Sequence, residues 1–330
     1  MSSEVKLCLI GAGGHATRNI YPSLYRLEGV SIAANCDLRE DVARAVAKRF
    51  GIPRSYGDIR QMLRQEQPDA AIVCTGAAGH AAIAVELLNA GVHVYTEKPT
   101  APSLESAWKM LEAQRRSGKI CMTAYKKRFA PAYVRAKKQI ESSDFGVRGG
   151  LNITRSRGGP AGTADELRDQ LLEWTCHTLD LGVFLWGQVS TVTTTTMNHE
   201  GRYAWSVVMQ HDGLAVSHQL LTNCPAHPIE QVYCCGTGGI VIHVDNSINL
   251  LVTKHGRPID GYTPSFTTGR QFSDVEQGFA GEIIEFVNAV RDGREPEASI
   301  RQACHTLAIF EAMWASAHNG GKPVSVEYKI

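Results

Sequence analysis

Val5-Lys6-Leu7-Cys8-Leu9-Ile10-Gly11-Ala12-Gly13-Gly14-His15-Ala16 decides the fold. The apolar run from Val5 to Ile10 reads as a buried strand that ends in glycine. Gly11 to Ala16 then has the spacing Gly-x-Gly-x-x-Ala. Gly11 allows a tight turn, Gly13 lets the backbone approach a pyrophosphate, and Ala16 keeps the next helix close to the strand. Apolar residues at helical spacing over Arg18 to Leu27 supply that helix, whose first amides can donate to phosphates. Val30 to Cys36 reads as a second strand. Asp37 ends it, where an acid accepts hydrogen bonds from a ribose 2′-OH. Ala12, Gly14 and His15 complete the candidate cofactor turn. Asp37 favours NAD, because a 2′-phosphate would meet a carboxylate. Arg39 either stacks on adenine or pairs with a 2′-phosphate, so NADP stays the alternative.

The pattern continues outward. Helix signals over Arg39–Phe50, Ala81–Asn89 and Leu104–Ser117 alternate with strand signals over Ala70–Cys74, Val92–Thr96 and Ile120–Ala124. Such alternation with near-continuous apolar strands implies a parallel sheet covered on both faces. The texture changes after Tyr125. A basic helical segment, Tyr133–Glu141, leads into a strand at Leu151–Arg155 and a long helix, Asp165–Leu185. Strand signals follow at Val189–Thr196, Ala204–Gln210, Leu214–Leu221, Gln231–Cys235, Gly239–Val244 and Ile248–Thr253. Helices over Glu276–Arg291 and Ile300–His318 precede a last strand, Val324–Tyr328. The expected class is α/β plus α+β. An N-terminal Rossmann-like parallel sheet spans residues 1–124, and a C-terminal domain with an open, mainly antiparallel sheet spans 125–330. No Pro-rich linker separates them.

Composition narrows the function. The 330 residues suit about two domains at ~150 residues each. Lys plus Arg total 34 and Asp plus Glu 33, so a net charge of +1 offers no general attraction for nucleic acid or anionic membrane. No signal peptide or transmembrane helix is expected. Nine cysteines without Cys-x-x-Cys argue against a disulfide framework or zinc knuckle. Cys8, Cys36, Cys74 and Cys121 read as buried small hydrophobes in a reducing cytoplasm.

Three further clusters carry a resemblance. Thr96-Glu97-Lys98-Pro99 lies at a strand end, Tyr125-Lys126-Lys127-Arg128-Phe129-Ala130-Pro131 opens the second half, and Leu172-Glu173-Trp174-Thr175-Cys176-His177-Thr178-Leu179-Asp180-Leu181 runs along a helix. Together with Gly11–Ala16 they resemble the glucose–fructose oxidoreductase / inositol dehydrogenase / rhizopine catabolism (Gfo/Idh/MocA) family over nearly the whole chain. The resemblance implies NAD(P)-linked hydride transfer to or from a sugar, cyclitol or related polyol, bound between two domains. It assigns the motif lysine to Lys98 and the helix histidine to His177. Thr75, Gly76 and His80 match a strand-end element beside the cofactor, with Gly76 where the family commonly has Pro. Glu97 joins the cofactor set, and Lys126 holds a cleft-facing position. Glu173 stands where inositol dehydrogenases usually have Asp, and Thr175 where the family usually has Gly. Both changes reshape the substrate pocket.

The residues also make sense unaided. Glu173, His177 and Asp180 share one helical face. His177 suits the base that takes a carbinol proton, Lys98 the stabiliser of the alkoxide, and Glu173 an orienter of His177 or a substrate ligand. A desolvated Lys98 as base is the alternative. His177 and Asp180 lack a third metal ligand, so no metal is expected. Trp174 joins the substrate set. Arg155 and Arg157 either bind an acidic or phosphorylated substrate or line a subunit contact. The six cations from Lys126 to Lys138 read by default as a solvated helix face, Lys126 excepted. Two other functions use the same residues or fold: an NAD-retaining glycosidase or lyase, and a non-catalytic dinucleotide-sensing regulator. A homodimer or homotetramer through the Val189–Leu221 strands is expected, since open sheets need covering. Gly158–Asp169 reads as a candidate lid.

Overall fold

The computed structural model describes residues 4–157, 164–225, 227–264 and 274–327. The chain divides into two units, one of residues 1–125 with 279–304, the other of 126–278 with 305–330.

The first unit holds a parallel sheet of six strands: β1 (Val5–Ile10), β2 (Val30–Cys36), β3 (Arg54–Tyr56), β4 (Ala70–Val73), β5 (His93–Thr96) and β6 (Cys121–Thr123), in the order β3-β2-β1-β4-β5-β6. The order reverses between β1 and β4, and ligands of such sheets bind beyond the strand carboxyl ends at that switch. Crossovers use α1 (Glu40–Phe50), α2 (Ile59–Glu66), α3 (Ala77–Asn89) and α4 (Leu104–Ser117). Gly51 in the left-handed region closes α1, and Ser103 caps α4.

The first crossover differs from the regular helix expected over Arg18–Leu27. A helical start at Gly14 passes into a π-helical stretch, Ala16–Ile20, then a 3₁₀ stretch, Tyr21–Arg26. The Tyr21 amide reaches back five residues to the Ala16 carbonyl. Pro22 has no N–H to continue the ladder, so the winding changes there. Two elements escaped the sequence reading, β3 and α2. The buried Glu66 carboxylate joins them, accepting from Arg54 and Tyr56.

In the second unit α5 (Pro131–Ile140) precedes β7 (Arg148–Ser156) and α6 (Ala164–Trp186). The sheet continues through β8 (Val189–His199), β9 (Arg202–His211), β10 (Val216–Thr222), β11 (Ile229–Gly236), β12 (Ile240–Asp245), β13 (Asn249–Lys254) and β14 (Arg257–Tyr262). β14 also went unread in the sequence. After α7 (Phe279–Asp292) and α8 (Ile300–His318), β15 (Val324–Ser325) adds an edge, giving the order β14-β13-β12-β11-β7-β10-β9-β8-β15. Only β7 and β10 pair in parallel, so the mixed sheet is mainly antiparallel. α6 packs on β7 and β10, and α5 on β12 and β13.

The opposite face of this sheet is open. One register row crosses it: Val208, His218, Asn152, Tyr233, His243 and Leu251. Val208, Tyr233 and Leu251 are exposed. Tyr233 and His243 meet edge to face with ring centroids 4.8 Å apart.

A single seam near residue 125 does not describe the chain fully, because α7 returns to the first unit. Phe286 packs on Tyr95 at 5.7 Å, and the Thr123 amide bonds the Ala298 carbonyl. Cys8, Cys36, Cys74 and Cys121 are buried free thiols, and burial raises Cys8 and Cys36 to about 12. Among the described residues no helix is long and apolar enough to cross a membrane. Residues 158–163 of the candidate lid and Tyr328 of the last strand lie outside the described residues, and residues 164–169 open α6.

Candidate functional site

Gly11 sits where β1 turns. Its φ is +94°, and a Cβ there would come 2.1 Å from the Cys74 carbonyl oxygen. Only glycine fits. The Tyr21 hydroxyl donates to the Gly11 carbonyl at 2.8 Å and fixes the turn. No atom lies within 4 Å of a Cβ built on Gly13, so the backbone there is open to a ligand. The Asp37 carboxylate accepts from the Ala12 amide at 2.9 Å and from the Arg39 amide at 3.0 Å. Burial raises the Asp37 carboxyl, but these amides and the Arg39 charge outweigh it and hold the group below its usual range. Asp37 is therefore anionic at neutral pH beside the glycine turn. The open Gly13 backbone and this carboxylate fit a dinucleotide with an unphosphorylated ribose. The Arg39 guanidinium lies largely exposed, 3.5 Å from the same carboxylate.

His15 links this turn to the end of β5. Asn19 donates to His15 Nδ1 at 3.0 Å, so Nε2 carries the proton and donates to Glu97 Oε1 at 3.0 Å. Glu97 Oε2 accepts the Lys98 amide at 3.0 Å. Burial raises the Glu97 carboxyl, but the His15 bond, the Lys98 charge and the Lys98 amide hold it below its usual range. The buried carboxylate thus braces the backbone that carries Lys98. His80 acts similarly. Its Nε2 accepts from the Thr75 amide at 3.0 Å, and Nδ1 donates to the Pro99 carbonyl at 2.8 Å. Burial pushes this imidazole below its usual range, and the neutral ring joins the Thr75–Gly76 turn to the Lys98–Pro99 segment. Both ring nitrogens of His80 are thereby spent on backbone.

In the second unit, α6 carries Glu173, His177 and Asp180 from surface to interior. Glu173 is exposed, His177 is 8% exposed and Asp180 is fully buried. Arg128 grips Asp180 through Nε and Nη2 at 2.8 and 2.6 Å. Asp180 is thus a structural anchor one turn beyond His177. The buried Thr175 hydroxyl donates to the Leu171 carbonyl at 2.6 Å and stays within its own helix. Trp174 is buried, its ring 6.4 Å from that of Tyr203.

The basic run is only partly a solvated face, with Lys138 exposed and Arg135 and Lys137 half-buried. Lys127 and Arg128 are buried, and Lys127 Nζ donates to both Glu230 oxygens and to Ser247 Oγ at 2.9 Å. Arg155 Nη1 and the Tyr133 hydroxyl also donate to Glu230. Burial raises Glu230, but Lys127 and Arg155 overcome it and hold the carboxyl far below its usual range. Burial pushes Lys127 down to about 8, so the pair is ionised at neutral pH. Arg135 pairs with Asp260 and Lys137 with Glu141. Glu230, Asp180 and Asp260 are distant in sequence and correct the solvated reading for Lys127, Arg128 and Arg135, whereas Lys137 pairs one turn along its own helix. Lys126 Nζ bonds the Gln277 side-chain oxygen at 3.1 Å. Tyr21 and Asn19 shape the glycine turn of the first unit, and Glu230 the Lys127–Arg155 cluster of the second, although no local motif marks them.

A Rossmann-like unit with a dinucleotide cradle, followed by a mixed α+β unit, defines a class of dinucleotide-linked oxidoreductases. The chain belongs to the Gfo/Idh/MocA oxidoreductase family. Residues 5–125 match its NAD-binding Rossmann fold and residues 171–326 its C-terminal alpha/beta domain. It is similar to the 4-carboxy-2-hydroxymuconate-6-semialdehyde dehydrogenase of Sphingobium sp., 25% identical over 93% of this chain and 96% of that one. The scyllo-inositol 2-dehydrogenase (NAD(+)) of Bacillus subtilis is 23% identical over 100% of this chain and 98% of its own. The fold matches levoglucosan dehydrogenase in complex with NADH and levoglucosan, with a TM-score of 0.84 at 20% identity over 98% and 99% of the two chains.

Proposed function

We propose that the chain is an NAD-dependent dehydrogenase of a sugar, cyclitol or related polyol, acting at a CH–OH group. The observation that carries this reading is the anionic Asp37 at the glycine turn, accepting the Ala12 amide. The names of the inositol and semialdehyde relatives, matched over nearly their whole lengths, favour a dehydrogenase over an NAD-retaining hydrolase or a regulator.

Gly11, Ala12, Gly13, Gly14 and His15 form the phosphate turn, with Asp37 and Arg39 at the ribose and Thr75, Gly76, His80, Glu97 and Lys98 flanking it. Bound NAD supplies the hydride acceptor. His177 takes the carbinol proton and Lys98 stabilises the developing alkoxide. Glu173 orients His177 or a substrate hydroxyl. Lys126, Arg155 and Trp174 complete the substrate set. We place the enzyme in the cytoplasm as a homodimer or homotetramer. Val208, Tyr233 and Leu251 on the open sheet face support that assembly.

Absorbance at 340 nm with NAD and a polyol panel tests the activity. NADH accumulation with at least one polyol is expected. Stoichiometric retained NAD(H) without turnover of added NAD overturns the dehydrogenase reading. Light scattering at micromolar concentration tests assembly, and a monomeric mass contradicts it.

A further inference from the structure

We propose that Arg155 receives an oxyanion of the substrate, so that the polyol oxidised here also bears a carboxylate or a phosphate. This rests on the dehydrogenase reading for the word substrate, and on Arg155 itself for the anion.

Arg155 is the penultimate residue of β7, the strand on which α6 with His177 packs. Its Nη1 donates to Glu230 Oε2. That carboxylate is crowded. It also takes two bonds from Lys127, one from the Tyr133 hydroxyl at 2.8 Å and one from the Ser247 hydroxyl. An ionised carboxylate offers about four lone-pair sites. Glu230 is thus saturated, and its single charge is divided between Lys127 and Arg155. The Glu230 cluster keeps a positive charge in excess.

The guanidinium has a second edge. Nε and Nη2 form the side-on fork that grips carboxylate and phosphate. Arg128 uses that fork on Asp180, and Arg54 uses it on Glu66. In Arg155 the Nη1 end is spent on Glu230. Its Nε is buried and has no hydrogen-bond partner among the described residues. A buried charged N–H without an acceptor is costly, and an incoming oxyanion would supply one. The side chain is 25% exposed, which leaves a route to that edge. Glu230, Lys127 and Ser247 hold the guanidinium in place and act as positioning residues. An incoming oxyanion both fills the fork and cancels the excess charge.

The test uses the full-length protein with NAD and matched sugars. D-glucose, D-galactose and D-mannose are each compared with their uronates and their 6-phosphates. Binding is read by calorimetry and turnover at 340 nm. Malonate and inorganic phosphate serve as activity-independent probes. Wild type is expected to favour an anionic form over its neutral parent by about 10–100-fold, and Arg155→Gln to lose that preference, read as the ratio of anionic to neutral binding within each protein. Preference for uronates and malonate assigns a carboxylate, and preference for 6-phosphates and inorganic phosphate assigns a phosphate. Arg155→Lys keeps the charge but not the fork, and is expected to fall between the two. It is read alone if the glutamine variant fails to fold. Equal binding of neutral and anionic forms by wild type, or an anion preference that survives in the variants, overturns the proposal. Anion binding that depends on Arg155 without NAD reduction by any sugar supports the anion site and counts against the dehydrogenase reading.

Discussion

Arg128 and Asp180 stand 52 residues apart in the chain and meet as a buried two-pronged ion pair. The pair fixes the turn Lys126–Phe129 to α6 one helical turn past His177. Removing Arg128 takes the counter-charge away from the buried Asp180 carboxylate. Arg128→Ala is therefore expected to lower unfolding free energy by ~3–5 kcal/mol in urea titrations. A loss below ~1 kcal/mol would mean that the pair is not an anchor.

Glu230 gives the fold a dependence on pH. Its folded carboxyl is depressed by Lys127 and Arg155. Its stabilisation is complete above the unfolded value of ~4.3 and is lost as pH falls below that toward the folded one. Glu230→Gln should unfold at lower urea than wild type at pH 7, and the gap should narrow at pH 3.5. A gap of constant size across this range contradicts the assignment.

Asp37 is expected to set cofactor choice. Asp37→Ala removes a charged acceptor and the brace on Ala12. NAD affinity should fall about 10–100-fold, with NADP losing less. Fluorescence titration with NADH and NADPH checks this. Wild-type protein that binds NADP as tightly as NAD would defeat it.

Gly11→Ala tests the turn itself. The added Cβ meets the Cys74 carbonyl at 2.1 Å from a φ of +94°. Loss of NAD binding is expected, with a lowered melting temperature. Wild-type affinity for NAD would show that the turn does not bear on the cofactor.

The residues themselves show what could be read from sequence. Gly11 to Ala16 and the apolar strands announce the parallel sheet because their signals are local. β3 and α2 do not, since a buried carboxylate, Glu66, joins two short polar segments. Lys127 and Arg128 look solvated in sequence because their partners, Glu230 and Asp180, lie 103 and 52 residues away. Pro22 was visible, but its effect on winding depends on where the helix begins. The return of α7 to the first unit rests on contacts such as Phe286 with Tyr95, which no local pattern marks.

The roles of His177 and Lys98 are tested most directly by NADH formation at 340 nm with the best polyol of a panel. Wild type, His177→Ala and Lys98→Ala are compared. For His177→Ala a kcat reduction of ~10²–10⁴ is expected with NAD affinity retained, and a comparable loss for Lys98→Ala. A change of only a few-fold in His177→Ala removes that residue from the role of base and contradicts the mechanism.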